Sequence, residues 1–247
     1  MDRLIYVAMN GAKHAMSKQA ATSHNLANVS TDGFRAQYNT ARAVAVIGPG
    51  QATRTFAVDS TVGTNFTPGP IDHTGRELDV AVEGRGWIAV QGADGREAYT
   101  RSGAFEVNAN GQLQTKTGLN VIGDGGPIAI PPDARVTIAR DGTVSTIPTI
   151  GIPNITNALG RIKLTDPDER ELVRGDDGLF RLRNAPSAPP DLNVTLASGS
   201  LERSNVNAVS AITDIISQAR MFEMQVRLLQ NADQNARAAS QLLNLNA

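Results

Sequence analysis

From Val206 to Leu245 the chain contains neither proline nor glycine, and an uninterrupted run of that length is best accommodated by one long helix. Within it Val209, Ile212, Ile216, Ala219, Phe222, Val226, Leu229, Ala236 and Leu243 mark an apolar stripe. Asp214, Gln218, Arg220, Gln225, Arg227 and Gln234 occupy the remaining surface. The other end of the chain carries a shorter counterpart. Between Asp2 and Val29 there is no proline, and Ile5, Ala8, Ala12, Ala15, Thr22, Leu26 and Val29 recur at alternating steps of three and four. Gln19 fills the one remaining place in that spacing.

The N-terminal stripe is thin, and its energetics are informative. Fully burying a Leu or Ile stabilises by roughly 1.5–3 kcal/mol, whereas fixing one backbone residue costs roughly 1–2 kcal/mol. Ile5, Leu26 and Val29 are the large apolar members, so a single partner helix offsets little of the ordering cost. Alanine and glycine permit close packing by several helices. The expectation is therefore that the termini order on assembly. The C-terminal stripe outruns its N-terminal partner, which favours contacts outside the chain over a purely internal core.

Between the two helical ends lies most of the Gly and Pro. Asp94-Gly95, Asn110-Gly111 and Asp141-Gly142 each separate two strand-like runs, and these dipeptides tolerate the positive φ of tight two-residue hairpins. Ala43–Pro70, rich in Gly, Thr and Pro, reads as an irregular arm, and Asn184–Asp191, with three prolines, as a loop. The layout is α+β: an N-terminal helix over 1–34, an extended or irregular connector over 35–75, an antiparallel β-rich domain over 76–200, and a C-terminal helix over 201–247.

Chemistry-bearing patterns are absent. Formal net charge is -1 and aromatics are 4 %, which gives no basis for a nucleic-acid partner. There is no cysteine, so disulfides, thiolate catalysis and cysteine-held zinc are excluded. His14, His24 and His73 form no H-E-x-x-H pattern, and no metal site is expected. Gly84-Arg85-Gly86 lacks the remaining residues of a phosphate loop. Asp166-Pro167-Asp168-Glu169 and Asp176-Asp177-Gly178 do not match a calcium loop and read as solvated turns. No paired acids or Ser/His arrangement suggests catalysis, and no cofactor is expected. No apolar run is long enough for a membrane helix or for the core of a conventional secretory signal, so no membrane insertion is expected.

Four blocks resemble the flagellar rod and hook protein family. They are Asn25-Leu26-Ala27-Asn28-Val29-Ser30-Thr31-Asp32-Gly33-Phe34, Leu78–Trp87 (LDVAVEGRGW), Ala98–Phe105 (AYTRSGAF) followed by Asn110–Leu113, and Leu201–Val206 (LERSNV). They occur in the family's order across nearly the whole chain. Met1–Tyr6, Arg174–Phe180 and Ala219–Gln225 further resemble the proximal rod branch. The resemblance implies terminal helices paired as an antiparallel coiled coil that carries a β domain. It also implies export through the flagellar type III apparatus without signal cleavage, a periplasmic place in the basal body, and a structural role in motility. Identical subunits and other rod proteins, proximal and distal, are the implied partners. Subunit packing is expected through Ile5, Ala8, Ala12, Ala15, Leu26, Val29, Phe34, Val209, Ile212, Ile216, Phe222, Val226 and Leu229. Asn25, Asn28 and Asn205 are expected to cap or bridge backbone near helix ends, with Gly33 ending the first helix.

Overall fold

The computed structural model describes residues 2–45, 55–132, 134–148 and 156–244, leaving aside the side chains of 2–4, 59–62 and 242–244. The chain runs from α1 (Asp2–Ala27) into β1 (Gln37–Ala45) and β2 (Thr55–Thr64), then β3 (Ile71–His73), β4 (Val80–Glu83), β5 (Trp87–Gln91) and β6 (Glu97–Thr100). There follow β7 (Phe105–Val107), β8 (Leu113–Thr115), β9 (Ile122–Gly123), β10 (Gly126–Pro127), β11 (Ala134–Ile138), β12 (Thr143–Pro148) and β13 (Asn157–Arg161). Finally come β14 (Leu164–Thr165), β15 (Leu172–Arg174), β16 (Phe180–Leu182), β17 (Thr195–Ser198), β18 (Ser200–Glu202) and α2 (Ala208–Asn244). Two compact units result, one from the described parts of 1–29, 36–65 and 206–247, the other from 30–35 and 66–205.

In the first unit α1 and α2 run antiparallel. Gln218 Nε2 donates to Thr22 Oγ1 at 3.1 Å, and nearer the start of α1, Gly11 faces Gln225 so closely that a Cβ there would lie 2.9 Å from Gln225 Cδ. Ala8, Ala12 and Ala15 are buried on α1. They meet a seam on α2 made of Ala211, Ile215, Gln218, Phe222, Gln225, Leu229 and Ala232, spaced by four and three. Small side chains on α1 let the helices approach, and amides on α2 fill the space. Asn207 caps α2, its Oδ1 accepting from Ser210 N at 3.1 Å.

The connector expected over 35–75 is ordered where it is described. β1 and β2 pair antiparallel from Gln37↔Thr64 to Ala45↔Thr55, with a bulge between Thr40 and Ala41. Threonine, valine, tyrosine and phenylalanine supply the strand propensity that the glycine and proline count obscured. Residues 46–54 of the connector lie outside the described residues, as do the side chain of Leu243 and all of Leu245.

The second unit is built on a five-stranded antiparallel sheet in the order β14-β5-β6-β16-β15. β5, between β14 and β6, is buried on both faces: Ile88 and Val90 join a cluster with Phe105, Leu113 and Val144, while Trp87 and Ala89 join Tyr99 and Phe180. That alternation is the period of two expected of a strand between two layers. The Trp87 and Phe180 rings stand 4.7 Å apart.

All three predicted hairpins form: β5–β6, β7–β8 and β11–β12. Their loops hold three residues rather than two, because the innermost bonds run Gly92 N to Arg96 O, Asn108 N to Gln112 O and Ala139 N to Thr143 O. Gly95, Gly111 and Gly142 take φ of 75°, 76° and 87° at the last loop position, a turn followed by a left-handed residue. Asp94, Asn108 and Asp141 side chains accept backbone N–H groups inside these loops. Asp176-Asp177-Gly178 closes a fourth hairpin, β15–β16, with the same bonds.

Candidate assembly surface and motif junction

In the second unit the blocks that carry the family resemblance, far apart in sequence, converge on Glu202. Its Oε1 accepts from Arg35 Nη1 and from Gly69 N, the latter at 2.9 Å. Its Oε2 accepts from Arg101 Nη1 at 3.0 Å, and its carbonyl accepts from Gly33 N at 2.7 Å. Arg101 also donates to Gly84 O at 2.7 Å and Val82 O at 3.3 Å. Arg35, Arg101 and Glu202 are all buried. One carboxylate thus serves two guanidiniums, and the excess positive charge lies against Trp87, 5.9 and 5.4 Å from its ring centroid. Burial pulls the Arg101 pKa below its ordinary value, with Glu202 opposing the shift. Removing a partner from such a buried group leaves uncompensated charge, so the junction stands or falls together.

Gly33 sits at φ 71°, and a Cβ on it would lie 2.3 Å from the Arg101 carbonyl carbon. Since α1 stops at Ala27, Gly33 is a close-approach residue of this junction and not the helix stop expected of it. Next to it, Phe34 is buried, with the Arg174 guanidinium 4.6 Å from its ring centroid. Arg203 reaches Asp72 at 2.9 Å and Asp32 at 3.3 Å. Arg35, Gly69 and Trp87 have roles here that sequence reading did not assign. A lone arginine carries no spacing signal, and its partner lies 167 residues away.

The asparagines divide. Asn28 Nδ2 donates to His24 O at 2.9 Å, a helix-end bond as expected. Asn25 clamps Gln37 in both directions, at 2.7 and 2.8 Å, tying α1 to β1. Asn205 instead donates to Thr67 O at 2.8 Å, and the cap of α2 falls to Asn207.

The expected packing residues also divide. Ala8, Ala12 and Ala15 are buried in the helix pair, while Ile5, Leu26, Val29, Phe222, Val226 and Leu229 are half-buried. Val209, Ile212 and Ile216 are not in the seam: they are 73 %, 48 % and 48 % exposed. The seam runs one position away, through Ala211 and Ile215, which places these three on the outside of α2. Tyr6, Met9 and Met16 on α1 are likewise exposed.

Among the described residues no group of three His, Asp or Glu side chains is placed to hold a metal ion, and no helix is long and apolar enough to cross a membrane. A helix pair made of both chain ends, a β unit inserted between them and a motif-built junction define a structural protein of the flagellar axis. The chain belongs to the flagellar hook and basal-body rod protein family. Three family models match it: the flagella basal body rod protein over residues 5–35, the flagellar hook protein FlgE/F/G D1 domain over 81–146, and the flagellar basal body rod FlgEFG protein C-terminal region over 197–242. The flagellar basal-body rod protein FlgF of Escherichia coli is 48 % identical, covering 99 % of this chain and 100 % of its own length. That of Salmonella typhimurium is 47 % identical over the same shares. The flagellar basal-body rod protein FlgG of Agrobacterium fabrum is 34 % identical, covering 98 % of this chain and 99 % of its own. The protein is a structural subunit of the basal-body rod, a role that implies contact with other rod and hook subunits.

Proposed function

We propose that the chain forms part of the proximal rod, polymerising through its terminal helices into the hollow shaft that carries motor torque to the hook. The observation that carries this reading is the apolar surface left on the helix pair after the pair has formed. Val209, Ile212 and Ile216 on α2 remain open to solvent although Ala211 and Ile215 have found their partners. Isolated apolar side chains on a surface are ordinary, but a helical stripe of them is the mark of a surface to be covered. Identical subunits and the other proximal and distal rod proteins are the partners. Delivery is through the flagellar type III apparatus without removal of a signal, to the periplasmic section of the axis. A chain without cysteine suits that route, since no disulfide locks it before passage.

Mass spectrometry of purified basal bodies, compared with a strain lacking the gene, tests the reading. Recovery of the chain in the rod fraction, with short or missing rods in the deletion strain, is expected. Normal rods without the chain overturn it.

A further inference from the structure

The helix pair has two unlike sides. On α1 the positions Tyr6, Met9, Lys13, Met16, Ala20, Ser23 and Ala27 are exposed without exception, whereas Asn10, His14, Ser17, Ala21, Asn25 and Asn28, around the other flank, are half-buried. The β1–β2 ribbon accounts for part of the second set. Asn39 Nδ2 donates to Ser17 O and Oγ at 3.0 and 2.9 Å, and Asn25 clamps Gln37. The ribbon therefore covers one flank of α1 and leaves the opposite one open.

On α2 the open position Ile212 follows the seam residue Ala211, just as Met9 and Met16 follow Ala8 and Ala15 on α1. In an antiparallel pair, reversing one helix brings like flanks to the same side. Met9 and Met16 thus share a side with Ile212, and with Val209 and Ile216 beside it. Because the helices run in opposite directions, α1 supplies the large side chains at one end of this side and α2 at the other. Together they place exposed apolar side chains at both ends of one side of the helix pair, the kind of surface that marks an interaction site.

The ribbon presents a second apolar surface. The Asn39 side chain points at α1, so the alternating β1 residues Tyr38 and Val44 face outward, and Val58, paired across from Arg42, lies on that same outward face. Tyr38 is 50 % exposed and Val58 44 %. A ribbon of two strands is barely stable by itself and gains from a cover. Arg42 on this face and Glu223 on the helical stripe are both exposed and form no ion pair among the described residues, so their charges are complementary.

We propose that the helical stripe of one copy seats on the outward face of the β1–β2 ribbon of a second copy. The inference rests on the polymerisation reading above and specifies its contact. Two different surfaces on opposite flanks of one chain make a head-to-tail interface, which propagates; stripe against stripe would close at a dimer.

The absence of cysteine makes the test clean. Ile216→Cys and Val58→Cys chains, carrying different tags, are co-expressed in cells lacking the native gene, oxidised, and examined in isolated basal bodies. A band at twice the monomer mass carrying both tags is expected, and neither variant alone should give it. Met9→Cys with Val44→Cys serves as a second pair, and swimming before oxidation shows that each variant folds and assembles. A dimer from Ile216→Cys alone, or unlinked chains in normal basal bodies, overturns the contact while leaving polymerisation intact. A band joined only to a different rod protein overturns the second copy as occupant. Failure of the unaltered chain to appear in basal bodies overturns the polymerisation reading itself.

Discussion

The junction around Glu202 and the seam between the helices solve opposite problems. The junction buries two guanidiniums against one carboxylate and the Trp87 ring, with Arg35 Nε and Nη2 and Arg101 Nε unpartnered among the described residues, and the surrounding β unit is sealed by large apolar side chains such as Ile88, Phe105 and Leu113. The seam uses alanine and amides, holds little apolar volume, and leaves large side chains outside it. One region draws its packing from within a single chain. The other pairs its helices yet leaves Val209, Ile212 and Ile216 exposed, the surface that the polymerisation reading would cover.

The sharpest attack on the first region is Glu202→Ala. It leaves Arg35 and Arg101 buried without their carboxylate, and about 3–5 kcal/mol of stability should be lost from the β unit. Thermal unfolding followed by Trp87 fluorescence reads it directly, since Trp87 lies against both guanidiniums. A change below 1 kcal/mol would mean that the junction is not what closes the unit.

The second region is separated from the first by a pair of substitutions. Phe222→Asp puts a charge into the seam and should lower the helical circular-dichroism signal of the free protein. Ile216→Asp changes an exposed residue and should leave that signal and the β-unit melting temperature unchanged, within about 0.5 kcal/mol. Both should abolish swimming in soft agar. Normal swimming with Ile216→Asp would remove the outer stripe from the assembly surface.

The two regions also differed in how plainly the sequence announces them. Helices show through their period, and hairpins through Asp-Gly and Asn-Gly, because both signals are local. The helical period also identified Val209, Ile212 and Ile216 as apolar, but it could not separate the inner seam from an outer stripe one position away. Only the partner helix makes that choice. The junction was half legible. Its Arg101, Glu202 and Gly33 lie in blocks that mark the family, yet what each touches depends on segments 101 or 167 residues away, and no local pattern encodes that. The β1–β2 ribbon was hidden by the glycine and proline around it.

A smaller effect belongs to Tyr99. Its hydroxyl donates to Glu97 at 2.8 Å and accepts from Ala188 N at 2.6 Å, holding the proline-rich loop to the sheet. Burial, with the Glu97 bond, pushes its pKa well above the ordinary tyrosine value. The protonated form is the one the fold favours. Its stabilisation is therefore fully present below pH ~10 and is lost as pH rises beyond that. Absorbance near 295 nm should show this tyrosine ionising only as the β unit unfolds, and Tyr99→Phe should delete that step and cost about 1–3 kcal/mol. Ionisation at the ordinary value in the folded protein would contradict it.

The mildest test is Asp141→Asn, in the β11–β12 loop. Bonds from Thr143 N and Oγ1 lower the Asp141 pKa, so its contribution holds above the ordinary aspartate value and fades as pH falls through the folded one. Asparagine keeps the turn-forming acceptor, and at neutral pH the melting temperature should move by less than the equivalent of about 0.5 kcal/mol. Only the acid limb of the stability curve should change.

Glu202 also sets a clock. It lies on β18, which pairs with β3, so strands from opposite ends of the β unit must meet before its buried charges are neutralised. A chain delivered residue by residue, from whichever end leads, cannot close this unit until nearly all of it has arrived. Contacts of such long range also form slowly. Completion of the fold thus waits for both ends of the β unit, and the interval before it is when the chain holds no closed body.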